Sequence, residues 1–173
     1  MNQLLFNSSY GVKLSIKQIV QEIVGFMALD TKRRYKITIG TDSERIPGNQ
    51  ALQNFSSKNL GGRADFVSAV VVHRVGNGGR YFWRRIELGK FHTLRDRIIK
   101  EVLLSLELAQ EVLDELKKIK NISFDFEIHA DIGENGETKV MIQEVVGMIR
   151  AHNFEVRTKP GSYAASNVAD RHV

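Results

Sequence analysis

Residues 35–43 read YKITIGTDS, and the pattern in this stretch decides the fold class. Tyr35, Ile37 and Ile39 alternate with Lys36, Thr38 and Gly40, the period of a strand with one face on a core. Asp42 falls on the Thr38 and Gly40 side, just after the regular run at 36–40. An Asp in T-D-S after a strand is most often a turn or cap residue, so this position alone assigns no chemistry.

Working outward, residues 15–29 form an amphipathic helix capped by Ser15, with Ile16, Ile19, Val20, Ile23, Val24 and Met27 as its stripe. Residues 1–13 read as an irregular lead-in and 31–34 as a basic turn. Residues 44–65 are rich in Gly, Asn, Gln and Ser and read as a long flexible loop. Residues 66–75 and 80–88 make two strands joined by Gly76-Asn77-Gly78-Gly79, an antiparallel hairpin. Thr93 caps a long helix to about residue 119. A strand at 122–130, a helix at 138–152, a short strand at 154–158 and a last helix from Ala164 toward Asp170 complete the order. Strands leading into alternating helix and strand imply an α/β domain, a mixed sheet with helices packed on it.

The 173 residues suit one domain, 1–173. With 42% hydrophobic and 26% charged residues the balance is that of a soluble globular chain. No run is long enough to span a bilayer and no signal-peptide pattern opens the sequence, so the expected compartment is the cytoplasm. The absence of Cys excludes disulfides, thiolate metal sites and cysteine nucleophiles. There is no G-x-x-x-x-G-K-[ST] loop and no legible Ser-His-Asp arrangement. A net charge of +5 suits a polyanionic partner without establishing one.

Glu101 is the most informative acid. On a helical wheel it falls near the middle of the stripe formed by Leu94, Ile98, Ser105, Leu108, Ala109, Val112 and Leu116, whereas Glu107, Glu111, Asp114 and Glu115 lie off its centre. An ionised Glu facing a core is costly unless it is paired or metal-bound. From spacing alone, an ion pair with Arg or Lys, or a Glu at the sheet's end that still reaches water, accounts for it about as well. Asp131 closes the strand ending IHAD, before a turn at Gly133. Asp170 sits among Ala164, Ala165, Ser166, Val168 and Ala169, small residues that let a helix approach the sheet closely. Singly, each has a plain reading as a turn residue or an exposed acid.

Taken in order, a strand-end Asp, an inward Glu, a second strand-end Asp and a terminal Asp resemble the acidic constellation of the ribonuclease H superfamily. Segments IGTDS (39–43), FVSAVVVHR (66–74), RIIKEVLLSLELA (97–109), HADIGENGETK (129–139), EVVGMIR (144–150) and KPGSYAASNVADRH (159–172) resemble the ribonuclease-H-like YkuK family over most of the chain. The resemblance implies a five-stranded mixed sheet, three antiparallel strands plus two parallel ones, flanked by helices, with an extra N-terminal helix. It places Asp42 at the centre of the first strand, beside Asp131 at the end of the fourth, with Glu101 and Asp170 arriving from helices. The expected cofactor is Mg²⁺ or Mn²⁺ as two ions, since the ligands are all oxygen. Asp42 is shared, Glu101 and Asp131 serve one ion, and Asp170 the other.

Around these acids, His129, His172, Lys159, Ser43 and Ser166 are candidate accessory residues, each with a structural or solvated alternative. Arg80, Arg84, Arg85 and Lys90, interleaved with Tyr81, Phe82 and Trp83, are candidate nucleic-acid contacts, with Phe82 assigned to the core. Lys32, Arg33, Arg34, Arg95 and Arg97 are assigned elsewhere on the surface. The functional expectation is a metal-dependent nuclease on RNA, an RNA–DNA hybrid or structured DNA, a homodimer if it is a resolvase. The competing classes are a non-catalytic nucleic-acid-binding module and a protein whose acids bind metal only for stability.

Overall fold

In a computed structural model, residues 5–46, 62–134 and 136–173 are described. The elements are β1 (Phe6–Ser8), β2 (Lys13–Leu14), α1 (Ile16–Ala28), β3 (Tyr35–Arg45), β4 (Gly62–Arg74), β5 (Gly79–Phe91), α2 (Leu94–Leu116), β6 (Asp125–Ala130), a 3-10 turn (Glu137–Met141), α3 (Ile142–Ala151) and β7 (Glu155–Arg157). A π-helical segment (Ala164–Ala169) and a 3-10 turn (Asp170–His172) follow.

The strands form one mixed sheet in the order β2-β1-β5-β4-β3-β6-β7. β5, β4 and β3 are antiparallel, and β6 and β7 join in parallel. This is the expected α/β arrangement, but with seven strands among the described residues instead of five. The additional pair comes from the stretch expected to be irregular. Gly11, at φ 76°, turns the chain, and Ser8 Oγ accepts the N–H groups of Tyr10 and Val12 at 3.3 and 3.1 Å, so a short hairpin closes and pairs with β5. Residues 44–45 and 62–65, expected in the loop, are paired strand instead. Of the rest, Ile46 follows β3 and residues 47–61 lie outside the described residues.

Both long helices start as their sequences dictate. Ser15 and Thr93 each accept the backbone N–H three residues on, and Gln18 and Asp96 bond back, completing two capping boxes. The inner stripe of α1 (Ile19, Ile23), that of α2 (Leu108, Val112) and Val145 and Ile149 of α3 bury against Tyr35, Ile37, Ile39 and Ile128 of the sheet. On the opposite face, the π-helical segment lies against Val67 and Ala69.

Gly40 makes that second docking possible. A Cβ at this position would come within 2.5 Å of the Ala165 nitrogen and 2.8 Å of the Ala164 carbonyl carbon. Small residues on both sides let backbone meet backbone, as expected of the Ala-rich C-terminal segment. The segment expected as a last helix is π-helical.

Candidate active site

The ladder between β3 and β6 positions two acids at once. Thr41 is paired with Ala130 in parallel register, so the next step along both chains brings Asp42 alongside Asp131. Asp42 lies inside β3, three residues before its end, and not after the strand as its local sequence suggests. On the helix side, Ser105 Oγ donates to Thr41 Oγ1 at 2.9 Å, and Thr41 is 2.9 Å from Ser68 Oγ. This buried hydroxyl chain pins α2 to the sheet one turn beyond Glu101. Glu101 is thereby held inward, 8% exposed, with Ser43 Oγ donating to its Oε1 at 2.6 Å.

Asp42, Glu101 and Asp131 line one open cleft of about 350 Å³ together with Ser43, Arg97, Thr138 and Lys159. Burial pushes the Glu101 carboxyl up to about 8, and the charges of Asp42 and Asp131 add to this against the Ser43 hydrogen bond and Arg97. Burial likewise raises Asp42 to about 6, and the neighbouring charges of Asp131 and Asp170 act in the same direction. Asp170 opens the final 3-10 turn, is exposed, and reaches Asp42 from the opposite face of the sheet. Three of the four acids therefore share the cleft and the fourth adjoins Asp42.

The accessory residues separate. Lys159 Nζ lies 2.9 Å from Asp131 Oδ2. His129 is turned away: its Nδ1 accepts the Ala164 N–H at 3.0 Å, so its Nε2 proton points to Glu127 at 2.8 Å. It anchors the π-helical segment, and burial lowers its pKa. The His172 ring stacks on Trp83 with centroids 4.2 Å apart. Its pKa is lowered by burial and by Arg171 and Arg85. Ser166 Oγ donates at 3.0 Å to the backbone carbonyl of Ser162, just ahead of the π-helical segment, and not to an acid.

Arg97 was assigned to the outer surface from the sequence, but it lines the cleft. Its Nη1 donates to Ser43 O at 2.8 Å and to Ser43 Oγ at 3.2 Å. The available signal was its spacing, one turn before Glu101 on the same helix face.

The candidate nucleic-acid contacts do not share a surface. Arg80 pairs with Glu22 at 2.9 Å and Arg84 is buried over the Phe6 ring, both on the helix face. Arg85 is exposed on the opposite face, where it donates to the His172 carbonyl and lies 3.5 Å from Asp65. The backbone of Lys90 belongs to β5.

The donor set suits a hard divalent cation: all ligands are oxygen, and Asp131 Oδ1 is buried without a hydrogen-bond partner. Among the described residues, no three acids or histidines stand close enough to grip one ion as placed. Lys159 and Ser43 occupy one oxygen each of Asp131 and Glu101.

No helix among the described residues is long and apolar enough to cross a membrane. No solved structure matches this chain. Over 98% of its length it is 28% identical to a Bacillus subtilis (strain 168) protein named "Uncharacterized protein YkuK", covering 97% of that protein. Residues 55–173 match the family model described as "Ribonuclease H-like", a match that contains Glu101, Asp131 and Asp170 and begins after Asp42. With more than half of its length matched and with this mixed sheet, the chain belongs to the ribonuclease H-like family.

Proposed function

We propose that this chain is a divalent-metal-dependent nuclease that hydrolyses phosphodiester bonds in RNA, an RNA–DNA hybrid or structured DNA. The observation that carries the reading is the meeting of Asp42, Glu101 and Asp131 in one cleft, with two of the three carboxyls raised by burial and mutual repulsion. Folding acids together at such a cost is accounted for if a cation offsets it. A bound Mg²⁺ or Mn²⁺ supplies activation of a water and shielding of the phosphodiester charge. In the two-ion form of this reading, Asp42 is shared, Glu101 and Asp131 serve one position, and Asp170 the other.

The chain's own groups do the rest. Ser43 and Arg97 fix the rotamer of Glu101, Lys159 balances Asp131, and the hydroxyl chain through Thr41 holds α2 at its distance from the sheet. Arg85 offers exposed charge on the Asp170 side of the sheet.

The test is cleavage of labelled single-stranded RNA, RNA–DNA hybrid, duplex DNA and a four-way junction with Mg²⁺ or Mn²⁺. Activity on at least one substrate that vanishes in Asp42→Asn is expected. Intact metal binding with every substrate left whole would move the protein to the non-catalytic class, a nucleic-acid binder or a metal-stabilised scaffold.

A further inference from the structure

Lys159 enters the carboxylate cleft from the turn after β7, and it is held there at two points besides its charge. Its backbone N–H donates to Ile132 O at 2.8 Å, tying it to the residue next to Asp131. Its stem lies over Gly133, where an added Cβ would stand 3.0 Å from Lys159 Cβ. The stem therefore packs where position 133 carries no side chain. The ammonium ends 2.9 Å from Asp131 Oδ2, while Asp131 Oδ1 stays buried and unpartnered. The side chain stays half-exposed, so these contacts fix the start of the stem and Asp131 holds its tip.

An ammonium and a divalent ion on the same carboxylate repel each other at short range. Lys159 stands on the Asp131 side, the position that the two-ion arrangement gives to the ion shared with Glu101. Among the described residues, the carboxylates of the centre without an ion-pair partner are then Asp42, Glu101 and Asp170, with the unpartnered Oδ1 of Asp131 beside them.

We propose that Lys159 is the second cation of this centre: its ammonium takes the place of one divalent ion beside Asp131, so the chain binds a single divalent ion. This rests on the metal-nuclease reading and departs from its two-ion form. Lys159 is a positioning residue here, supplying fixed positive charge through Asp131.

Counting bound Mn²⁺ by electron paramagnetic resonance tests the idea on the full chain, with wild type, Lys159→Met and Lys159→Arg compared and melting curves recorded for each. The expected counts are one ion for wild type, two for Lys159→Met, and one for Lys159→Arg, which keeps the charge. Should the methionine variant melt early, Lys159→Gln is read in its place. Two ions on wild type, or one ion on the uncharged variant with unchanged affinity, overturns the proposal while leaving the nuclease reading intact. Absence of Mn²⁺ binding in wild type, indistinguishable from Asp42→Asn, overturns both.

Discussion

Glu101 and Glu127 are both nearly buried acids, yet their environments act in opposite directions. Burial raises Glu101 to about 8. Glu127 is 6% exposed, and burial alone would raise it as well, but hydrogen bonds from His129, Arg157 and Lys36 bring it below its ordinary value. For Glu101 the folded chain holds a proton that the unfolded chain has released, so stability falls as pH rises from about 4.5 to about 8 and levels off above. Glu101→Gln is expected to stabilise the fold at pH 8 by about 1–3 kcal/mol, and to weaken Mn²⁺ binding. Melting curves at pH 5 and pH 8, with and without Mn²⁺, check this; a variant no more stable than wild type at pH 8 would contradict it. For Glu127 the sign reverses, with stability present above its ordinary pKa and lost as pH falls. Glu127→Ala removes the partner of Lys36, Arg157 and buried His129 and is expected to cost about 3 kcal/mol in denaturant titrations.

At the scale of elements, the contact between β3 and the π-helical segment carries Asp170 to Asp42. Gly40→Ala is expected to destabilise the protein by about 1–3 kcal/mol, because the contacted atoms are backbone and cannot rotate aside. The same substitution should depress cleavage more than stability alone explains, since Asp170 follows the segment that is pushed off. Chemical denaturation alongside turnover at 10 °C separates the two effects. Unchanged denaturation midpoints would show that the segment docks more loosely than its contacts indicate. The corresponding restraint on the helix side is the Ser105–Thr41–Ser68 hydroxyl chain, which fixes α2 where Glu101 faces the sheet.

For the molecule as a whole, the candidate nucleic-acid arginines fall on two faces of the sheet, and Asp170 lies on one of them. Arg80 is committed to Glu22, and Arg84 is buried over Phe6. Arg85 stands exposed on the Asp170 side. Nucleic acid approaching the acids from that side should depend on Arg85 and be indifferent to Arg80. Arg85→Ala is expected to weaken binding of labelled RNA by roughly three- to tenfold at low salt and to flatten its salt dependence, while Arg80→Ala leaves both as they are. Fluorescence anisotropy at two salt concentrations measures this, and equal losses in the two variants would place the nucleic acid elsewhere.

Local sequence by itself determined what period and capping determine. The alternation of Tyr35, Ile37 and Ile39, the helix caps at Ser15 and Thr93, and the inward place of Glu101 on α2 are all one-dimensional patterns. Charge was legible in kind but not in place. Arg97 and Arg84 read as surface cations, because only the docking of α2 and of the β1–β2 hairpin puts their guanidinium groups inside. The hairpin leaves no mark in the sequence, because its strands, three and two residues long, are too short to show a period and pair against β5. The parallel register that sets Asp42 beside Asp131, and the turn that brings Lys159 to 2.9 Å from Asp131, join residues far apart in the chain. Such contacts depend on how the sheet and helices pack, and no local pattern encodes them.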